Sequence, residues 1–223
     1  VADDRYDELR TAFTAAVSHE LRTPLARIMA LLESAQLPGA DTEALIEQAR
    51  AEVDETRRLV DDVLFLSELE TGREVVSLGD TEVAPVLEDV VRHAEERAAR
   101  ADVNLRVEVE DGIRLPLRPR MLRMVAENLV DNALRYAGPR ARFTLSVRRS
   151  GGQVVVRAID NGVGVDAEEL SRLFERFYRG DRARTSRGTG LGLAIVKHVV
   201  TAAGGTIEAL RPESGGLEIR ATF

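Results

Sequence analysis

Two apolar stripes at the start of the chain limit its folds more than any other feature. Over residues 3–36, Leu9, Phe13, Val17, Leu21, Leu25, Ile28, Leu32 and Ala35 recur every three or four residues, the spacing of one helix face. After a break at Leu37-Pro38-Gly39-Ala40-Asp41 the same spacing resumes. It runs through Leu45, Ala49, Val53, Thr56, Leu59, Val63, Leu66 and Leu69 to about Glu70. Pro38 and Gly39 punctuate the break, and Asp41 stands where a helix N-cap belongs. Two such helices make a hairpin that cannot cover its own stripe. Pairing with a second copy as a dimeric four-helix bundle covers it. Thr71-Gly72 closes the second helix, so the reading divides the chain into an all-α domain, 1–72, and a second domain, 73–223.

The second domain alternates strand and helix patterns. Strands are expected over 74–78, 104–109, 113–117, 143–149, 154–159, 206–210 and 217–222. Helices are expected over 83–100, from Pro119 to about Tyr136, over 166–173 and over 191–203. Ser150-Gly151-Gly152 reads as a hairpin turn, and Pro119 suits the first turn of a helix. No clean strand–helix–strand run of the dinucleotide-binding kind is present. The pattern predicts an α+β sandwich with helices on one face of a mixed sheet.

Composition excludes several classes. With 44% hydrophobic residues the chain can bury a core. It has no cysteine, so disulfides and thiolate metal sites are out. A net charge of −7 argues against binding nucleic acid, whose phosphates call for basic excess. No apolar run reaches the length of about 18 residues that spans a membrane. Val1 falls inside helix-patterned sequence, which leads us to expect an input domain ahead of it in a longer protein.

Five short motifs carry chemistry, in this order. The first is Ser18-His19-Glu20-Leu21-Arg22-Thr23-Pro24-Leu25 on the first helix. Pro24 has no N–H, so the carbonyl of Glu20 loses its helical partner one turn from His19, which predicts a kink that exposes the imidazole. A histidine nucleophile needs one free ring nitrogen, and a carboxylate holding the other N–H helps supply it. Glu20 is the adjacent carboxylate, although neighbours in a helix do not share a face. His93 and His198 have no such setting.

The second motif is Glu127-Asn128-Leu129-Val130-Asp131-Asn132, with Arg135 and Tyr136 following. Asn128 and Asn132 are four apart and share a helix face, offering hard oxygen ligands for Mg²⁺. Asp160-Asn161-Gly162-Val163-Gly164 ends an apolar strand. There a carboxylate can accept from an adenine amino group, and the glycines let backbone approach a base. Gly188-Thr189-Gly190-Leu191-Gly192-Leu193 opens a helix, where backbone N–H groups point at anions. No Gly-Lys-Ser/Thr follows, so it is not a Walker loop. Between them lies Phe174-Glu175-Arg176-Phe177-Tyr178, then a basic stretch to residue 187 with Arg179, Arg182, Arg184 and Arg187. Its composition suits a mobile lid over phosphates, anchored by Phe174 and Phe177.

In order and spacing these motifs resemble the transmitter module of bacterial sensor histidine kinases, from about Phe13 to Phe223. The resemblance implies ATP and Mg²⁺ as cofactors, autophosphorylation of His19, and transfer to an aspartate on the receiver domain of a response regulator. It implies a role for Glu20 and Thr23 in regulator dephosphorylation and for Glu127 near the γ-phosphate. The metal falls to Asn132, with Asn128. Nucleotide contacts fall to Asn128, Asn132, Arg135, Tyr136, Asp160, Gly162, Gly164, Arg179, Gly188, Thr189, Gly190, Leu191, Gly192 and Leu193. The family often has Lys where Arg135 stands; charge is kept, but a point charge becomes a planar fork. Regulator docking is implied on the first helix near Ala26, Arg27, Ala30 and Leu31, and on the facing second helix. The resemblance further implies a homodimeric, cytoplasmic module that reaches an inner membrane only through a segment outside this chain. Two other readings differ in kind: a catalytically idle transmitter that only docks a partner, and an ATPase related to gyrase, Hsp90 and MutL-type proteins. Present in this chain, His19, Asn132 and Asp160 speak against the first, and the upstream helical hairpin against the second.

Overall fold

A computed structural model describes residues 2–70, 79–180, 188–213 and 215–223, with side chains of the first stretch described over 14–68. The chain divides into two compact units, Val1–Glu70 and Thr71–Phe223. The boundary expected at Thr71-Gly72, the strand expected over 74–78 and the arginines 182, 184 and 187 lie outside the described residues. So do the side chains of Leu9, Phe13 and Leu69.

The first unit is a helical hairpin of α1, Ala2–Ser34, and α2, Thr42–Glu70. Pro24 is accommodated inside α1, which stays continuous across it. Gly39 turns the chain at φ +81°. Asp41 caps α2 as its position predicts, its carboxylate accepting from the Ala44 N–H at 3.1 Å. Val17, Leu21 and Ile28 of α1, and Ala35 just after it, face the hairpin and are half-buried. Ala49, Leu59, Phe65 and Leu66 of α2 are buried against them.

Here the sequence reading needs correction. Val53, expected in the stripe, is 51% exposed, whereas Glu52 beside it is buried. The packed positions run 45, 49, 52, 56, 59, 63, 66, strictly alternating steps of four and three, and a charged residue occupies one of them. Leu25 and Leu32, also expected in the packed stripe, are exposed instead, along with Met29 on α1 and Ile46, Val60 and Leu64 on α2. The hairpin thus buries one apolar face within itself and leaves a second one open.

The second unit follows the order β1, Thr81–Glu82; α3, Val83–Ala101; β2, Asn104–Val109; β3, Arg114–Leu115; α4, Pro119–Tyr136; β4, Arg142–Ser150; β5, Gln153–Asp160. Then come a 3₁₀ turn at Leu170–Arg172; α5, Gly192–Ala202; β6, Thr206–Leu210; and β7, Glu218–Thr222. The main sheet has the order β2-β4-β5-β7-β6, with β2 and β4 parallel and the other pairs antiparallel. The mixed sheet is as expected. Gly151 and Gly152, at φ +58° and +83°, form the two-residue turn that joins β4 to β5.

Two expected elements shrink. The strand expected over 113–117 pairs only at Arg114–Leu115, with β1; on either side the Ile113 carbonyl accepts from the Val83 N–H and the Leu117 carbonyl from the Thr81 hydroxyl. The helix expected over 166–173 forms as a 3₁₀ turn, with N–H to third-residue bonds at Glu169, Arg172 and Leu173. A three-residue repeat sets Leu170 and Leu173 on one side, where both are half-buried.

The core lies between the three helices and one sheet face. Leu87, Met121, Leu129, Leu145, Ile195, Val196 and Ile219 are all buried there. The opposite sheet face is polar and laced by ion pairs. Arg157 grips Glu218 through two 2.8 Å bonds, and Arg148 meets Glu108 at 2.8 Å. Arg157 holds the Glu218 carboxyl below the usual range, Arg220 adding to the effect against burial. This packing sets the C-terminal half of α4, the end of β5 and the start of α5 beside one another.

Candidate functional site

The chemistry-bearing residues fall in both units. In the helical unit His19 is exposed on α1, and Thr23, one turn on, is exposed as well. Residues four apart share a helix face, so the hydroxyl sits alongside the imidazole. Ser18 does not compete for that face, because its hydroxyl donates to the Thr14 carbonyl at 2.8 Å. Glu20 is half-buried and points to a neighbouring face.

In the second unit, close approaches at the glycines show what has been brought together. Gly192 opens α5, and a Cβ there would lie 2.5 Å from the Asn128 Oδ1. Asn128 is oriented by its other amide atom, whose Nδ2 donates to the Met124 carbonyl at 2.9 Å. Its oxygen is thereby turned toward the first turn of α5. At Gly188, φ +148°, a Cβ would meet the Tyr136 hydroxyl at 2.7 Å and an Arg135 guanidinium nitrogen at 2.9 Å. The glycine-rich loop therefore lies along α4 from Asn128 to Tyr136. Asn132 falls midway along this stretch, on the Asn128 face, and is half-buried.

The loop is also tied to the preceding motif. The Phe177 N–H donates to the Gly190 carbonyl at 3.0 Å, and a Cβ on Gly190 would lie within 2.8 Å of the Phe177 backbone. Phe177 itself takes φ +60°, unusual for a bulky residue. Tyr178 donates to Glu169 at 2.8 Å under the Arg172 guanidinium, and Arg179 is half-buried nearby in sequence. Thr189 accepts from the Leu191 N–H at 3.3 Å. Leu191 is completely buried, so only its backbone can face a ligand; Leu193 is half-buried.

Asp160 ends β5 and is 8% exposed. Burial pushes its carboxyl above the usual range, against the N–H groups of Gly162 and Leu217. The Gly162 N–H donates to its Oδ1 at 2.8 Å. Gly162 must be glycine because a Cβ would sit 2.1 Å from the Ala137 carbonyl oxygen at the end of α4. Gly164, at φ +67°, backs onto Gly216 in the same way, at 2.8 Å.

Sequence reasoning missed several supporting residues. Asn161 is structural: its side chain accepts from the Arg142 N–H at 2.7 Å and pins the start of β4. Gly216 lets the β6–β7 connection press on the Asp160 backbone, where a Cβ would be 2.0 Å from the carbonyl oxygen. Asp131 is held by Arg97 of α3 at 2.6 Å. Glu127 is half exposed. Desolvation of its buried half pushes the carboxyl up, Asp131 adds to the rise, and Arg123, Arg97 and His93 oppose it. An Asn-Gly step signals a turn in any chain, so nothing local marked Asn161 as the pin.

Comparison with known proteins gives the following. The family described as "His Kinase A (phospho-acceptor) domain" matches residues 9–72. The family described as "Histidine kinase-, DNA gyrase B-, and HSP90-like ATPase" matches residues 117–223. Among curated proteins, the sensor-like histidine kinase SenX3 of Mycobacterium tuberculosis is 34% identical over 209 residues, 91% of this chain and 51% of that protein. The chain thus spans about half the length of this relative. Among solved structures, full-length ShkA in complex with AMPPNP aligns over 93% of this chain and 44% of that one, at 27% identity and TM-score 0.69. Histidine kinase ThkA in complex with response regulator protein TrrA has the same fold over 98% of this chain and 63% of that one, at 21% identity and TM-score 0.75.

Proposed function

The chain belongs to the sensor histidine kinases, carrying their phospho-acceptor domain followed by their ATPase domain, and we propose that it phosphorylates His19 from ATP and passes the phosphoryl group to an aspartate of a response regulator. The observation that carries the reading is the cradle in the second unit. The Asn128 amide oxygen is turned to the α5 N-terminus, while Arg135 and Tyr136 close on Gly188.

In this reading the buried Asp160 carboxylate accepts from the adenine amino group, and Gly162 and Gly164 admit the base. Gly188, Thr189, Gly190, Leu191, Gly192 and Leu193 offer backbone N–H groups and the pull of the helix N-terminus to the phosphates. Arg135, Tyr136 and Arg179 add charge and a hydroxyl at the phosphate end. The donor set fits a magnesium ion, with Asn132 and Asn128 as its amide ligands. The ion, when bound, neutralises charge on the β- and γ-phosphates. Glu127 stands beside these ligands as a polar group near the γ-phosphate.

His19 is the nucleophile. A bond forms from a ring nitrogen to the γ-phosphorus as the bond to the bridging oxygen breaks, and ADP departs. Glu20, on the neighbouring face of α1, reaches round to hold the imidazole's other N–H. In the second step the phosphoryl group leaves His19 for a carboxylate oxygen of the regulator's aspartate. The regulator docks on α1 around Ala26, Arg27 and Ala30, all exposed, and the half-buried Leu31, and on the facing part of α2. Thr23 orients water for the reverse function, hydrolysis of the regulator's acyl phosphate, with Glu20. The open apolar face of the hairpin pairs with a second copy. The whole protein is a membrane sensor with this portion in the cytoplasm.

The test is incubation with γ-labelled ATP. Wild type takes up acid-labile, base-stable label, and His19→Gln takes up none while still binding nucleotide. Label that survives the substitution would place the acceptor elsewhere.

A further inference from the structure

One charged group has no part in this mechanism. Glu52 sits on the packed face of α2 with its side chain 3% exposed, between the packing positions of Ala49 and Thr56. Its partner across the hairpin is Arg27 of α1, at 3.8 Å, whose side chain is 56% exposed. A carboxylate is costly to take out of water, and an apolar side chain fills such a packing position with less penalty, so the charge at Glu52 points to a role at the exposed end of its pair with Arg27. Arg27 lies about two turns beyond His19 on α1, roughly 12 Å along the axis, beside the small exposed residues Ala26 and Ala30. The other exposed charge on this stretch, Arg22, is also basic.

We infer that Glu52 is a positioning residue for regulator docking: it holds the Arg27 guanidinium across the hairpin so that the outward N–H donors meet an acidic edge of the receiver domain. The inference rests on the proposed transfer to a regulator. An arginine loses much rotamer freedom on binding a partner. Anchored by a carboxylate that is itself fixed in the helix packing, it has lost part of that freedom beforehand.

The experiment uses the full chain and a purified receiver domain to which wild type passes its label. Glu52→Leu should label at His19 within about twofold of wild type. The KM for the receiver should rise about 2–10-fold, the scale of ordering one long side chain, with kcat for transfer unchanged. Arg27→Ala should raise KM at least as far, and the double variant should match Arg27→Ala alone, because Glu52 acts through Arg27. Glu52→Gln, which keeps the shape and one acceptor oxygen, should fall between wild type and Glu52→Leu, and it carries the test if the leucine variant misfolds. Unchanged KM in the Glu52 variants, or penalties that add in the double variant, overturn the inference and leave the kinase reading standing. A wild-type chain that takes no label from ATP overturns the kinase reading and the inference with it.

Discussion

The substitution Gly192→Ala separates the fold from the site more cleanly than any other in the glycine-rich loop. Gly190 takes φ +70° and is pressed on Phe177 backbone, so a side chain there strains the chain itself. Gly192 differs: the three atoms nearest its added Cβ all belong to the Asn128 side chain, at 2.5, 3.4 and 3.7 Å. A relaxed C···O contact is about 3.3 Å or longer, so the amide oxygen must retreat by about 0.8 Å. Turning the amide sacrifices the Asn128 bond to the Met124 carbonyl, costing about 0.5–1.5 kcal/mol. Alanine in place of glycine at a helical position returns up to about 1 kcal/mol. The two nearly cancel, and the melting temperature should move by no more than about 4 °C. Activity does not share in that cancellation. A group displaced by about 1 Å costs on the order of 10²-fold in rate. Parallel assays decide the matter: a thermal melt, and initial rates of label uptake over a range of Mg²⁺ concentration. A variant with the wild-type melt and the wild-type magnesium dependence would show that the Asn128 oxygen takes no part in the site.

Three further outcomes are expected. Asp160→Asn should melt above wild type at neutral pH while losing nucleotide. Burial raises the folded-state pKa of Asp160, so its contribution to stability is favourable below the unfolded value and lost as pH rises through the folded one. The advantage of asparagine should shrink on acidification into the carboxylate range near about pH 4, and an offset independent of pH would contradict this account. Val53→Glu, on the open face of α2, should turn a dimer into a monomer in the ultracentrifuge at micromolar protein; a dimer of undiminished affinity would remove that face from the interface. Thr23→Ala should slow regulator dephosphorylation about 10²-fold, the scale of a positioned acid–base group, with only a few-fold loss of autophosphorylation. Equal regulator-phosphate decay in both proteins would make Thr23 structural.

Much of this architecture is legible in the sequence because local chemistry and tertiary demand agree. Pro119 at the first turn of α4, Asp41 at the cap of α2 and the paired glycines of the β4–β5 turn each do what their residue type favours anyway. The errors arise where two local patterns compete. In α2 both Glu52 and Val53 satisfy a three-or-four spacing, and hydrophobicity chooses the valine; only packing against α1 reveals that the glutamate is inside. In 166–173 the residues favour an α-helix, but Leu170 and Leu173 pack as a three-residue repeat. The residues of separate motifs, Asn128, Arg135 and Tyr136 on α4 and Gly188 and Gly192 of the glycine-rich loop, come together in the fold. The partners that orient them, the Met124 carbonyl, the Ala137 carbonyl and Gly216, are backbone atoms or distant glycines. No side-chain pattern announces a carbonyl, so these were invisible until the chain was folded.

Strand order carries a consequence for how this protein is made. β7, the last strand of the chain, is not an edge: it lies between β5 and β6. The Asp160 backbone N–H bonds to the Leu217 carbonyl at 2.9 Å, and Gly216 presses on the same residue. During synthesis the Asp160 end of β5 therefore lacks one wall until Leu217 has been made, some 57 residues after Asp160. A chain stalled before Leu217 would carry His19 and all five motifs, yet leave the side of β5 that β7 covers open.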